Sequence, residues 1–462
     1  MGIINNYLCC RWDYKNFKNK RMKKQLVFFY AITAAFGALV VGMNLGGISG
    51  AIDLICDEFA LGALAKGFVT GSIMIGCLLG ALAGGGLSDK FGRKPMLIAS
   101  ALILCLSSLG CSVLSHSAAA LTVYRFIGGL GVGVLSAVIP TYITEISPVK
   151  LRGTFVSFYQ MGVVIGILLA YCANYFFAKS PLNWHLMLGL PLVFGAIDAL
   201  LLLPLPESPR WLVQKNRIED AQKAIAKYGF GEEDTRAIME SRNGQKEEKV
   251  AFSELFKGKM GKVVFLGSML AFFQQITGIN VVVNYAPSIL GSLGIAGSDP
   301  LLQTVFIGIA NLVFTIFALW LVDKFNRKTL LVTGCAGCFV CLGYMAYAYS
   351  ISNPSSIGVL IAILGFIAFF ALSLSPLMFV VTSEMYPSRI RGTAMALSTG
   401  ISWACAFIVV QFYPWMESTL GTNVAFGIFA ALILAAGLFI HFWIPETKDK
   451  PLEEIEKELK LR

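Results

Sequence analysis

The sequence predicts an all-α polytopic membrane protein of twelve transmembrane helices in two six-helix repeats. Three observations lead there. Hydrophobic residues fill 56% of the 462 positions and charged residues only 14%, against about 25% charged in an ordinary soluble domain. A soluble core has no use for that much apolar surface, so lipid must be the solvent for most of the chain. Apolar runs long enough to cross the hydrocarbon, about 20 residues each, recur about twelve times between Leu26 and Pro445. Finally, several charged motifs occur twice, in the same order and at nearly one spacing.

The elements follow in order. Residues 1–24 precede any span, and between Arg11 and Lys24 they carry seven basic residues against the single acid Asp13. The net charge of +10 comes largely from this segment, from short loops between apolar runs and from one central polar stretch. That distribution is the positive-inside pattern of a membrane protein, and it excludes nucleic acid as the partner. The run from Leu26 is too long for a cleavable signal, and "MGIINN" lacks the Ser or Thr of a myristoylation site. Spans are expected to begin near Leu26, Lys66, Pro95, Ala119, Gly153 and Trp184, forming a first half over 25–206. A polar, periodic segment follows at 207–260, with "KNRIEDAQKAIAKYGFGEEDTRAIMESRNGQKEEK" suited to short amphipathic helices. It reads as an intracellular linker domain. A second half over 261–445 has spans beginning near Gly261, Leu302, Lys328, Ile357, Gly392 and Asn423. The tail 446–462 ends in "PLEEIEKELKLR", one more short polar helix.

The halves match each other in detail. "DKFGRK" at 89–94 recurs 234 residues later as "DKFNRK" at 323–328. "EISPVKLRG" at 145–153 recurs 239 residues later as "EMYPSRIRG" at 384–392. "PESPR" from Pro206 recurs weakly as "PETK" from Pro445, again 239 residues on. Ordered recurrence at nearly one offset marks a duplicated six-helix unit, and parallel repeats around a central site are a transporter architecture. Every copy lies where two spans meet, so all of them, and both termini, are expected in the cytoplasm. The acids and bases at these helix ends are Asp89, Arg93, Glu145 and Arg152 in the first half, and Asp323, Arg327, Glu384 and Arg391 in the second. An acid there is costly unless paired, which predicts salt bridges and an ionic latch on the cytoplasmic side. Duplication of the acids as well as the bases favours the latch over plain topology determination.

Little here suggests an enzyme. His116, His185 and His441 show no metal-ligand spacing, and no Ser, Cys or Asp stands in a nucleophile motif. Cys335 and Cys338 form a C-x-x-C inside an apolar helix-like run, where cysteines act as small hydrophobes. No catalytic residue, metal or cofactor is expected.

With these motifs in hand, the chain closely resembles the sugar porter family of the major facilitator superfamily. The carriers are "DKFGRK", "YRFIGGLGVGV" (124–134), "PESPRWLV" (206–213), "QQITGINVVVNYAPSIL" (274–290), "DKFNRK", "EMYPSRIRG" and "PETK". They extend over nearly the whole chain. The resemblance implies a substrate site between the halves and alternating access. It assigns substrate-binding roles to Gln160, Gln274, Gln275, Asn280, Asn311 and Trp403, and a gate to Tyr285. Residue chemistry agrees, because amides both donate to and accept from sugar hydroxyls, and several uncharged amides at membrane depth line polar cavities. Two further positions, Phe379 in the binding set and Asn284 in the gate, depart from the family: Phe379 stands where many members carry a tryptophan, and Asn284 replaces the first aromatic of a common tyrosine pair.

A third position bears on coupling. Proton-coupled members typically carry an aspartate where this chain has Asn44, able to pair with the arginine matching Arg125. Asn44 cannot titrate, and in this the chain is similar to the facilitative glucose transporters. The expectation is therefore transport of a monosaccharide, hexose or pentose, by facilitated diffusion through a monomer in the cell (plasma or inner) membrane. Proton symport and a polyol such as inositol are the alternatives. A membrane sugar sensor is disfavoured by the short terminal segments.

Overall fold

The computed structural model describes residues 20–147, 152–228, 230, 235–236, 238–239, 255–256, 258–292, 299–351, 355–387, 390–448 and 450. The basic segment before residue 20, most of the linker beyond 228, the tail helix from 451 and the side chain of Arg152 lie outside the described residues.

Among those residues twelve helical spans are long and apolar enough to cross a membrane. They are Leu26–Phe59, Ala63–Phe91, Arg93–Leu114, Ala118–Ile146, Gly153–Phe177 and Asn183–Leu202 in the first half. The second half has Met260–Gly291, Pro300–Lys324, Arg327–Ala348, Ile357–Met385, Arg391–Leu420 and Thr422–Trp443. Each begins within three residues of its predicted start. Local chemistry sets several of those starts. Ser117 accepts from the Ala120 N–H and Ser355 from the Gly358 N–H. Asp299 accepts from Leu301 and Leu302 ahead of a helix that opens on Pro300. These are side chains supplying acceptors to the orphan donors of a first helical turn. Of the linker, the helices Pro209–Gln214 and Ile218–Tyr228 are described.

The packing is that of a protein in lipid. Large apolar side chains such as Phe29, Leu102, Leu200, Val340 and Ile361 are exposed on the outside. Spans approach closely where glycines remove side-chain bulk. A Cβ on Gly76, Gly80, Gly129 or Gly133 would fall 2.0–2.3 Å from a backbone oxygen of the facing helix. This is what the glycines of "YRFIGGLGVGV" do: they seat the fourth span against the second.

The first span is interrupted at Gly47, between Lys20–Gly46 and Ile48–Phe59, and the seventh and tenth are broken near their middles. The seventh runs as Gly258–Ile276 and Ile279–Gly291, with Gly278 at φ 88° between them. The tenth runs as Ser356–Leu372 and Leu374–Met385 around Ser373. Broken helices free backbone groups at membrane depth, and transporters use them to build binding sites.

The halves join at the end opposite the charged motifs. There the Ser288 hydroxyl of the seventh span donates to Asp53 Oδ2 of the first at 2.6 Å. The Gln411 amide of the eleventh donates to the Leu64 carbonyl at the head of the second, 2.9 Å. Tyr171 of the fifth donates to the Val283 carbonyl of the seventh, 2.8 Å. At the charged-motif end, each ion pair formed by the motif residues stays within its own half.

Candidate substrate site

The break in the seventh span places its amides in one bonded chain. Asn280 Nδ2 donates to Gln275 Oε1 at 2.5 Å, and Gln275 Nε2 donates to Gln274 Oε1 at 3.3 Å. Gln274 Nε2 then donates to the carbonyls of Leu374 (3.1 Å) and Ser375 (3.3 Å), just past the break in the tenth span. The two discontinuities are thereby tied together through Gln274, which is buried. Gln275 and Asn280 are half-buried. After these bonds Gln275 keeps a free N–H, and Asn280 keeps an N–H and its carbonyl oxygen. Such a set can both donate to and accept from one hydroxylated ligand.

The other expected residues are not bonded to this chain. Gln160 on the fifth span and Asn311 on the eighth are half-buried and make no hydrogen bond to protein among the described residues. Trp403 of the eleventh span is half-buried against the core. Phe379 of the tenth is 43% exposed. Asn284 is buried and turns back on its own helix, donating to the Asn280 carbonyl at 2.7 Å. Tyr285 is fully buried; its hydroxyl donates to the Val410 carbonyl at 3.0 Å and its ring lies 5.3 Å from that of Tyr413.

Asn44 and Arg125 share a small cavity of about 10 Å³, with Ser107, Ser108, Cys111 and Pro191 on its wall. That is room for roughly one water. Asn44 Nδ2 donates to the Val40 carbonyl one turn back, 2.9 Å. Arg125, 3% exposed, donates from Nε to the Val69 carbonyl and from Nη2 to the Thr70 carbonyl, both at 3.0 Å. Carbonyl dipoles hold this guanidinium; among the described residues no carboxylate does.

The opposite end holds a group that sequence reasoning missed. Asp53 takes Lys66 Nζ at 2.7 Å on one oxygen and the Ser288 hydroxyl on the other. Lys66 Nζ also lies 5.7 Å from the centre of the Tyr285 ring. Asp53 and Ser288 are 235 residues apart, too far for any local signal.

At the charged-motif end Arg93 makes a fork with Glu145, both contacts 3.1 Å, and meets Asp89 at 2.9 Å. Arg327 reaches Glu384 at 3.5 Å. Arg391 donates to the Tyr386 carbonyl instead of to an acid, and Asp323 is exposed with no ion pair among the described residues. The repeated "PES" and "PET" prove to be helix caps. Glu207 accepts from the Arg93 and Lys94 N–H groups, and Glu446 from those of Arg327 and Lys328. Burial pushes the Glu207 carboxyl up from its usual range, while N–H bonds from Ser208, Lys94 and Arg93 pull it back. The repeat offset was the signal for this pair of caps, although their role needed the geometry.

Two similar six-helix halves, broken helices at mid-depth and hydrogen bonds joining the halves at one end define a secondary transporter of the major facilitator fold. The chain belongs to the sugar transporter family: the model for "Sugar (and other) transporter" matches residues 30–459. It is 32% identical to the D-xylose-proton symporter of Escherichia coli, over 95% of this chain and 96% of that one. It is 34% identical to the arabinose-proton symporter of Bacillus subtilis, covering 93% and 94%. With the glucose transporter GlcP of Staphylococcus epidermidis it shares 35%, covering 96% and 98%. Among solved structures, the inward open conformation of the xylose transporter XylE from E. coli superposes with a TM-score of 0.82 at 31% identity, covering 94% of this chain and 99% of that one. XylE bound to 6-bromo-6-deoxy-D-glucose gives 0.78, also at 31%, covering 95% and 100%.

Proposed function

We propose that the chain carries a monosaccharide, a hexose or a pentose, by alternating access and without coupling to protons. The amide chain from Asn280 to Gln274 supports the sugar reading, since it offers donors and acceptors and no charge at the meeting point of two broken helices. Gln160, Asn311, Trp403 and Phe379 complete the site in this reading, and Asn284 and Tyr285 gate it. The relatives named for xylose, arabinose and glucose agree in substrate class.

Asn44 carries the coupling reading. A carboxylate in its place would share a cavity with Arg125 and could exchange that partner for a proton; an amide cannot. A proton bound in one conformation and released in the other couples only through such differential affinity. Proton symport is the second reading, favoured by relatives named as proton symporters. In the same proposal the charged-motif end is cytoplasmic, the protein works as a monomer, and residues 207–260 form a cytoplasmic domain between halves bounded near 206 and 261.

The test is uptake of labelled xylose and glucose into proteoliposomes, with a panel of hexoses, pentoses and inositol as competitors. Uptake should be blocked by a hexose or pentose and remain insensitive to a protonophore. Gln275→Ala should weaken apparent affinity by roughly tenfold or more, the loss of one to two good hydrogen bonds. Asn44→Asp should add proton dependence; a mutant that merely stops transporting would contradict the pairing with Arg125.

A further inference from the structure

The sixth span contains an acid that none of these roles uses. Asp198 lies four residues before the end of that span at Leu202, about 6 Å along the helix from the charged-motif end. It is 1% exposed, and neither carboxyl oxygen has a hydrogen-bond partner. Among the described residues no other acid has buried, unpartnered oxygens. The carboxyl rests against the first span at Gly37, where an added Cβ would come 3.1 Å from Asp198 Oδ2 and 3.2 Å from Ile139 of the fourth.

Among the described residues no cation is placed to neutralise it. From the third span the titratable group beside it is Cys105, whose thiol donates to the Leu192 carbonyl at 3.8 Å. On the first span Tyr30 lies two turns from Gly37 and sets its ring edge against Tyr228, 5.5 Å between centres. On the fifth span Tyr171 is bonded to Val283, and neither Tyr159 nor Cys172 bonds to the acid. Arg125 is fourteen residues from Ile139 along the fourth span, about 21 Å, and is held by its two carbonyls. Beyond the helix end Lys94 and Lys227 are spent on the carbonyls of Leu203 and Pro204. An ionised carboxylate without a partner is expensive at membrane depth. The packed seam therefore accommodates Asp198 as the neutral acid, and ionisation requires water between the first and sixth spans.

The seam has a second level. Gly37 and Asn44 are seven residues apart on the first span, and Pro191 and Asp198 are seven apart on the sixth. Two turns separate each pair on one helix face, about 10 Å. Asn44 and Pro191 line the cavity that holds Arg125. The acid thus sits on the same helix faces as the position that lacks a titratable group, displaced towards the charged-motif end.

We propose that Asp198 is a proton-binding site open to the charged-motif end alone, occupied in this conformation, whose loading sets the conformational equilibrium of the transporter without moving protons across the membrane. The proposal rests on the reading of the chain as an uncoupled sugar porter. A proton bound more tightly in the packed seam than in a wetted one shifts the equilibrium by that difference.

The experiment is equilibrium exchange of labelled xylose or glucose in proteoliposomes, with pH set independently on each side and sugar-evoked proton flux recorded in parallel. In the unmodified protein, exchange should change by about fivefold or more when the charged-motif side is taken from neutral to alkaline, and hardly at all when the other side is. Asp198→Asn, a neutral shape match for the bound form, should keep exchange and lose that dependence. The infrared carbonyl band of a protonated carboxyl should be present at neutral pH and missing in the variant, which reads occupancy independently of transport. Identical pH profiles in the two proteins, or no band difference, would overturn the proposal. Proton flux that disappears in Asp198→Asn would overturn its one-sidedness. Flux that persists in the variant would overturn the uncoupled reading alone, leaving Asp198 to be judged by the pH profiles.

Discussion

In the N-terminal half Arg93 is clasped from three sides, by both oxygens of Glu145, by Asp89 and by the Ser88 carbonyl. In the C-terminal half its counterpart Arg327 meets one carboxylate oxygen at 3.5 Å and the Val322 carbonyl at 2.7 Å, and its Nε is buried without a partner. The carboxylates differ too. Glu145 is 12% exposed and serves Arg93, whereas Glu384 is 30% exposed and gives its second oxygen to the Thr447 hydroxyl at 2.5 Å. The caps, by contrast, are equivalent, with Glu207 and Glu446 accepting from the same two backbone positions of their repeats. Duplication kept the cap and let the clasp diverge. The difference teaches that a shared motif fixes where a helix ends without fixing how firmly that end is held. The clasps join spans within each half, so in this conformation they brace each half internally and do not lock one to the other.

The largest expected effect tests the tighter clasp. Glu145→Ala leaves buried Arg93 with the Ser88 carbonyl and, as its one carboxylate, exposed Asp89, and loss of one partner of a buried pair costs about 3–5 kcal/mol. Thermal unfolding in detergent should show it plainly, and an unchanged midpoint would erase the contrast between halves. Glu384→Ala should cost about 1 kcal/mol or less, since that pair is longer and partly exposed. A larger loss than for Glu145→Ala would invert the comparison. Away from the clasps, Ser288→Ala removes one hydrogen bond between halves at the opposite end. At about 0.6 kcal/mol for such a bond in a membrane, labelling of an engineered cysteine in that seam should rise roughly threefold. Asp323→Asn should leave the unfolding midpoint where it was, while Asp89→Asn lowers it slightly.

Much of this fold was legible because lipid imposes a simple rule: a span is a long apolar run, and its ends are where charge begins. That is why every span start fell close to its expected place. Partner choice was not legible. Arg391 belongs to a motif whose acid and base were expected to pair, yet it turns to the Tyr386 carbonyl. Gln274, Gln275 and Asn280 were recognisable as amides on one helix, but the break at Gly278 and the carbonyls of Leu374 and Ser375 decide their bonds. The lock from Asp53 to Ser288 depends on two segments from different halves, and Asp198 stood out only once its surroundings proved empty of partners.

The central claim is that sugar moves through this protein without a proton, because an amide stands at Asn44. Its most direct test is the change in internal pH of sealed proteoliposomes when xylose or glucose is added outside, with no other gradient imposed. The account predicts sugar entry with no accompanying acidification. Acidification that follows the sugar, and collapses when the sugar gradient is dissipated, would contradict it.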